Sequence, residues 1–286
     1  MVVITPEDAV QLSPIFKGKA GRILFWLCLK VTGIDKVNKL HDYVSTHGAE
    51  PGPDFAKGIL DYAGIDFAIG NADRLQHLPE GPFIVIANHV YGHLDGISLI
   101  DIFGHVRPKT KAMVNNFLMW IKGLEPSFIA VTPTTTKREV TASSINGIKS
   151  ALLQLKEGEP LVIFPSGAVA DLKPRQGWKL SEREWQDAAV KLIRKAKVPV
   201  VPVKFIDGNS RFYYLLGLID YRVRFTRLFH EVFNKRGTHP RVVIGETISV
   251  EQQSAVKDDD FKQFLRDSVY NIPETADYTN RSTLWK

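Results

Sequence analysis

His89 and Asp95 stand six positions apart in Ala87-Asn88-His89-Val90-Tyr91-Gly92-His93-Leu94-Asp95-Gly96. A histidine and an aspartate at that separation, across a glycine-containing turn, can meet on the first turn of a following helix. One imidazole nitrogen then faces the carboxylate and the other is offered as a base. The carboxylate fixes the tautomer and stabilises the imidazolium formed when a hydroxyl proton is taken. A histidine near a strand end can equally be a hydrogen-bonded structural residue. His93, two positions from Asp95, is the second candidate base. A metal-dependent hydrolase using His89, His93 and Asp95 is a rival reading, but such sites draw on further histidines and none occurs between His105 and His230.

Two further segments accompany this one. Leu161-Val162-Ile163-Phe164-Pro165-Ser166-Gly167 reads as a strand entering a tight turn, whose backbone N–H groups can bind a phosphate or an oxyanion. Val198-Pro199-Val200-Val201-Pro202-Val203 is apolar with two prolines, which fits an edge strand or a strand terminus. Asp207-Gly208-Asn209-Ser210 follows it.

The elements that must position these groups alternate. Strands are predicted at 83–87, 111–114, 128–131, 161–164, 200–205 and 241–245, with helices near 115–122, 140–156 and 184–197. The clearest helix carries Ile145, Ile148, Leu152 and Leu155, spaced by three and four, and ends at Gly158 and Pro160. Strands alternating with helices imply an α/β fold, a central mostly parallel sheet covered by helices. Before it, residues 14–46 read as one amphipathic helical segment, with Lys17, Lys19 and Arg22 ahead of the Ile23–Leu29 run and Lys30, Lys36 and Lys39 behind it. Basic residues around an apolar patch holding Phe25 and Trp26 are the composition of an interfacial helix, or of a helix packed on the main domain. A breaker cluster at 48–53 is the expected hinge. The organisation is therefore a helical, membrane-associating segment at 1–75 and a catalytic domain at 76–286.

Composition agrees with a folded protein: 286 residues, 44% hydrophobic and 24% charged. The single cysteine, Cys28, forbids an intrachain disulfide and suits a reducing compartment. Net charge is +6, unevenly spread, since residues 173–241 carry 16 Lys and Arg against 6 Asp and Glu. Such a basic half suits anionic lipid headgroups, an acidic carrier protein or nucleic acid. No nucleic-acid module is recognisable, and the cations of 222–236 are interleaved with Phe225, Leu228, Phe229 and Phe233. The N-terminus has no signal-peptide pattern, and the longest apolar stretch is far short of the roughly 20 residues that span a bilayer. A protein that is soluble or lies on a membrane is expected.

The ordered blocks Asn88-His89 … Asp95, Gly123 … Phe128-Ile129, Phe164-Pro165-Ser166-Gly167 and Val198–Val203 resemble those of the glycerolipid and lysophospholipid acyltransferases. The tail Arg227-Leu228 … Glu231-Val232-Phe233-Asn234-Lys235-Arg236-Gly237 and Ile244-Gly245 looks like the bacterial hemolysin-like subgroup, which includes lyso-ornithine and other lyso-aminolipid acyltransferases. The resemblance implies that His89 is the general base and Asp95 its orienting partner. It implies that a lysolipid hydroxyl attacks an acyl thioester carried by acyl carrier protein or coenzyme A, with no metal or redox cofactor. Asn88, Gly92, His93, Phe164, Pro165, Ser166 and Gly167 are then the substrate-binding candidates. Where the family carries a glutamate in its third block, this chain has Ser166 and Ala168, and Val131 replaces an arginine after Phe128-Ile129. These departures point to a lyso-aminolipid acceptor over a phosphate-bearing glycerol. They also leave open a catalytically inactive, lipid-binding member. The cytoplasmic face of a bacterial inner membrane is the expected location, with Phe25 and Trp26 among the seating residues.

Overall fold

The computed structural model describes residues 10, 17–131, 142–275 and 277–285. Helices α1 (Gly18–Thr32), α2 (Ile34–Thr46) and α3 (Pro53–Ala63) lead to strand β1 (Ala68–Gly70). Strand β2 (Ile84–Ala87) feeds α4 (His93–Val106), followed by β3 (Lys111–Asn115), β4 (Phe128–Val131), α5 (Ala142–Lys156) and β5 (Leu161–Ile163). A hairpin of β6 (Asp171–Lys173) and β7 (Lys179–Ser181) precedes α6 (Asp187–Ala196) and β8 (Val200–Phe205). The chain then forms α7 (Arg211–Ile219), α8 (Tyr221–Phe233), β9 (Arg241–Ile244), α9 (Val250–Ser254), α10 (Asp258–Tyr270), β10 (Tyr278–Asn280) and α11 (Arg281–Leu284).

Eight strands form one sheet in the order β10-β1-β9-β8-β2-β5-β3-β4. The run from β8 to β4 is parallel, as is β1 with β9, while β9 meets β8 and β10 meets β1 antiparallel. The expected α/β architecture is therefore present. Strand β2 is buried on both faces, which is why its sequence runs apolar without polar alternation. Its pleat sends Ile84 and Ile86 into the core shared with α5, α6 and α10, and Val85 and Ala87 into the core shared with α3 and α4. Because β5, β2 and β8 are parallel neighbours, the segments after them emerge at the same edge of the sheet. That edge is where open α/β sheets place ligands.

Several expectations change. The helical segment of 14–46 is two helices, broken at Gly33 with φ +79, and residues 14–16 lie outside the described residues. The helix expected at 115–122 is instead two 3₁₀ turns, Asn116–Trp120 and Lys122–Ser127, separated at Ile121, the second containing Gly123 and Pro126. Strand β8 is interior, not an edge, despite its prolines. Pro202 is tolerated because the β9 chain leaves the ladder between Ile244 and Ile248, where Gly245 donates to the Pro202 carbonyl at 2.7 Å and no proline N–H is needed. Strands β1, β6, β7 and β10 were not expected. They are three residues each, too short to give a period.

Helix α1, the β6–β7 hairpin, α7 and α8 form an adjoining cap beside the sheet. His230 Nε2 on α8 lies 3.0 Å from the Val31 carbonyl of α1, and Leu172 of the hairpin packs with Tyr213, Tyr214 and Leu228. Among the described residues fifteen large apolar side chains are exposed, and twelve of them belong to these four elements, Trp26, Trp178, Phe212 and Ile219 included. Phe25, by contrast, is buried against Leu29 and Ile34, so the aromatic pair of α1 divides between core and surface. Helices α1 and α7 together carry Lys19, Arg22, Lys30 and Arg211 and no acidic residue. Among the described residues no helix is long and apolar enough to cross a membrane.

Candidate active site

Asp95 is the third residue of α4 and is fully buried. Its Oδ2 accepts the main-chain N–H groups of Tyr91 at 2.9 Å and Gly92 at 3.0 Å, at the helix end where unsatisfied donors and the positive end of the dipole favour a carboxylate. Gly92 has φ +86, a conformation that glycine adopts without strain, and a Cβ there would lie 3.1 Å from Leu228 and 3.2 Å from Val169. The turn brings His89 back over the helix end, and its Nδ1 lies 2.8 Å from Asp95 Oδ2. The approach is short, although its angle is not that of a well-formed hydrogen bond. Burial raises the Asp95 pKa, while His89 and the two N–H groups draw it back.

With Nδ1 directed to Asp95, Nε2 is the nitrogen left to receive a proton. The His89 ring lies against Phe164, centroids 4.4 Å apart, so the turn after β5 meets the turn after β2. His93 sits next to this pair with Phe229 of α8 at 4.7 Å. Its Nε2 is enclosed without a partner although the residue is partly exposed, and burial followed by the nearby His89 lowers its pKa to about 4. A base that weak is a poor match to neutral pH, which favours His89 of the two histidines.

The other sequence candidates divide. Asn88 is turned into the sheet, its amide donating to the Phe205 carbonyl at 2.9 Å and accepting the Phe205 N–H at 2.7 Å, so it ties β2 to β8 and has no free end for substrate. The Pro165 carbonyl accepts from Gln186 at 2.9 Å, and the Gly167 N–H closes its own turn onto Phe164 at 2.9 Å. That N–H is therefore not a free oxyanion donor. Ser166 is buried and donates to a side chain that sequence reasoning passed over, Glu182, at 2.8 Å. The same Glu182 oxygen accepts the His89 main-chain N–H at 2.6 Å. Asp171 on β6 is held by Arg224 at 2.8 Å and Arg183 at 3.2 Å.

Asn209 and Tyr214 were also missed as site residues. Asn209 donates to the Val90 and Tyr91 carbonyls at 3.3 and 3.1 Å, and the Tyr214 hydroxyl donates to Val90 at 2.9 Å. The Asp207-Gly208-Asn209-Ser210 turn was the visible signal for this second clamp. Among the described residues no three His, Cys, Asp or Glu side chains are placed to hold a metal ion.

A buried carboxylate thus lies against a histidine at the carboxyl edge of a mostly parallel sheet. The family model described as acyltransferase matches residues 11–278, and the chain belongs to that family. It is 25% identical to the lyso-glycine lipid O-acyltransferase of Phocaeicola vulgatus over 92% of this chain and 95% of that protein. It is 24% identical to the lyso-glycine lipid O-acyltransferase of Bacteroides thetaiotaomicron over 77% of this chain and 80% of that one.

Proposed function

We propose that the protein transfers a fatty acyl group from a thioester, on acyl carrier protein or coenzyme A, to the hydroxyl of a lysolipid, with a lyso-aminolipid as acceptor. The observation that carries this reading is the 2.8 Å approach of Asp95 Oδ2 to His89 Nδ1. His89 Nε2 takes the acceptor's hydroxyl proton as the oxygen attacks the thioester carbonyl, and the imidazolium is stabilised by Asp95. Collapse of the tetrahedral species breaks the C–S bond, and the thiolate leaves with a proton from the imidazolium. No acyl-enzyme is required. The relatives' names support an amino-acid lipid as acceptor.

The reaction is assigned to the cytoplasmic face of a bacterial inner membrane, with the protein held peripherally. Support comes from the cap, whose exposed apolar side chains adjoin cations on helices free of acidic residues. Leu228 and Phe229 of α8 reach the catalytic turn from that same cap, which gives a lipid acceptor an apolar approach to His89. The test is acyl transfer by the purified protein from acyl-CoA and from acyl carrier protein to lyso-glycine lipid, with lysophosphatidic acid as the comparison acceptor. Faster turnover of the glycine lipid is expected. Exclusive use of lysophosphatidic acid would remove the acceptor assignment, and no transfer from either donor would remove the reaction.

A further inference from the structure

Glu182 occupies a position that a merely structural glutamate would not need. It lies just beyond β7, almost fully buried, and four donors from four parts of the chain converge on it. Oε1 accepts the His89 N–H at 2.6 Å and the Ser166 hydroxyl at 2.8 Å. Oε2 accepts the Trp185 indole N–H at 3.2 Å and the Tyr270 hydroxyl. The His89 and Trp185 N–H groups can only donate, so each carboxylate oxygen accepts at least one fixed hydrogen bond.

We propose that Glu182 is a positioning residue for the His89 base, gripping its main chain while Asp95 holds its ring. This rests on the reading of His89 as the base. Two carboxylates then act on one residue from different directions. Asp95 sets which nitrogen faces substrate, and Glu182 fixes where the peptide carrying the ring sits. Because Oε1 also lies 2.8 Å from the Ser166 hydroxyl, it ties the turn after β5 to the turn after β2. Phe164, two residues before Ser166, is thereby kept against the imidazole. Ser166 is a link in this frame, since its single proton is directed to Glu182 or to the Ala168 carbonyl at 3.0 Å. A buried negative charge beside the His89 backbone also favours the imidazolium formed during the reaction.

Two substitutions separate position from charge. Glu182→Asp keeps the charge but withdraws it by one methylene from the His89 N–H. Glu182→Gln keeps the length but removes the charge and turns an NH2 group toward one pair of donors. With acyl-CoA and lyso-glycine lipid, both are expected to lower kcat by about ten- to a hundredfold with KM nearly unchanged. Only Glu182→Gln should move the acid limb of the kcat/KM profile to lower pH, because the imidazolium loses a neighbouring negative charge. Trp185→Phe removes a donor from the far oxygen and should lower Tm while leaving that limb in place. Wild-type kcat in a folded Glu182→Asp protein overturns the proposal. So does a Glu182→Gln protein whose activity falls only in step with its melting temperature and whose limb stays put. Should Glu182→Gln fail to fold, the Glu182→Asp kcat decides alone. If His89→Ala itself retains turnover, the underlying assignment of the base fails instead, a result distinct from silent Glu182 variants.

Discussion

The sheet edge and the cap treat their side chains in opposite ways. At the edge polar groups are pinned: Asn88 to Phe205, Asn209 to Val90 and Tyr91, and Asp95 to two N–H groups. On the cap apolar groups face outward, with Ile219 77% and Trp178 61% exposed. Pre-organisation suits a proton transfer, in which a misplacement of about 1 Å can cost a hundredfold in rate. Outward apolar surface suits contact with a lipid phase. The difference predicts that edge substitutions damage turnover at constant lipid binding and cap substitutions do the reverse.

His89→Ala should break the edge most. It is expected to lower kcat/KM by about 10³-fold or more, the order of a lost general base with its nucleophile activation, while Tm changes little at this partly exposed site. Normal vesicle binding by the inactive protein would sharpen the contrast, and appreciable activity would end it. Asp95→Asn comes next, at about 10²- to 10³-fold in kcat. The amide retains an oxygen for the Tyr91 and Gly92 N–H groups, so helicity and melting should survive better than activity. Equal loss of folding and turnover would make Asp95 a helix cap and nothing more.

How far sequence alone reached follows the same division. Strands β2, β3, β4, β5, β8 and β9 were readable because each carries a short apolar run, fully buried in β2 and β5 and partly so in β3 and β4, and α5 and α6 because their apolar spacing has a helical period. The His89–Asp95 juxtaposition was readable because the whole turn lies within seven consecutive residues. Glu182 was not readable, because its 93-residue separation from His89 is closed only by sheet topology. The inward turn of Asn88 was hidden for the same reason, its partner Phe205 lying 117 residues away. The interior place of β8 was obscured by Pro199 and Pro202, whose usual meaning was overridden by the gap in the neighbouring ladder. Phe25 and Trp26 looked alike in sequence, and only the packing of α1 on its neighbours divides them.

His93 offers a smaller effect on the edge. Its pKa, held down at about 4 against an ordinary 6.5, means that the unfolded chain binds the extra proton first as pH falls. Stability from this residue is therefore full above about pH 6.5 and lost as the medium approaches pH 4. After a discount for the partial exposure of the residue, the loss is on the order of 1–3 kcal/mol. Urea midpoints between pH 4 and 7 should fall less steeply for His93→Leu than for the parent. Parallel curves would show that the ring is hydrated and unperturbed.

On the cap, Trp26→Glu, Trp178→Glu and Ile219→Glu probe α1, the hairpin and α7 in turn. Each exchanges an exposed apolar group for a charge that anionic headgroups repel, and the lost burial is about 1–2 kcal/mol per side chain, or roughly tenfold in partitioning. Vesicles containing phosphatidylglycerol should therefore sediment less of each variant, while melting temperature stays near that of the parent because these side chains contribute little to the core. If only Trp26→Glu weakens binding, the seat is confined to α1, and α7 and the hairpin face water. If all three act, the membrane spans the cap and its plane includes α7. Helix α8 then lies behind that plane, with Leu228 and Phe229 on the catalytic turn, and a lysolipid need not cross water to reach His89. Unchanged sedimentation of all three would leave the apolar cap without a lipid partner and sever it from the chemistry at the edge.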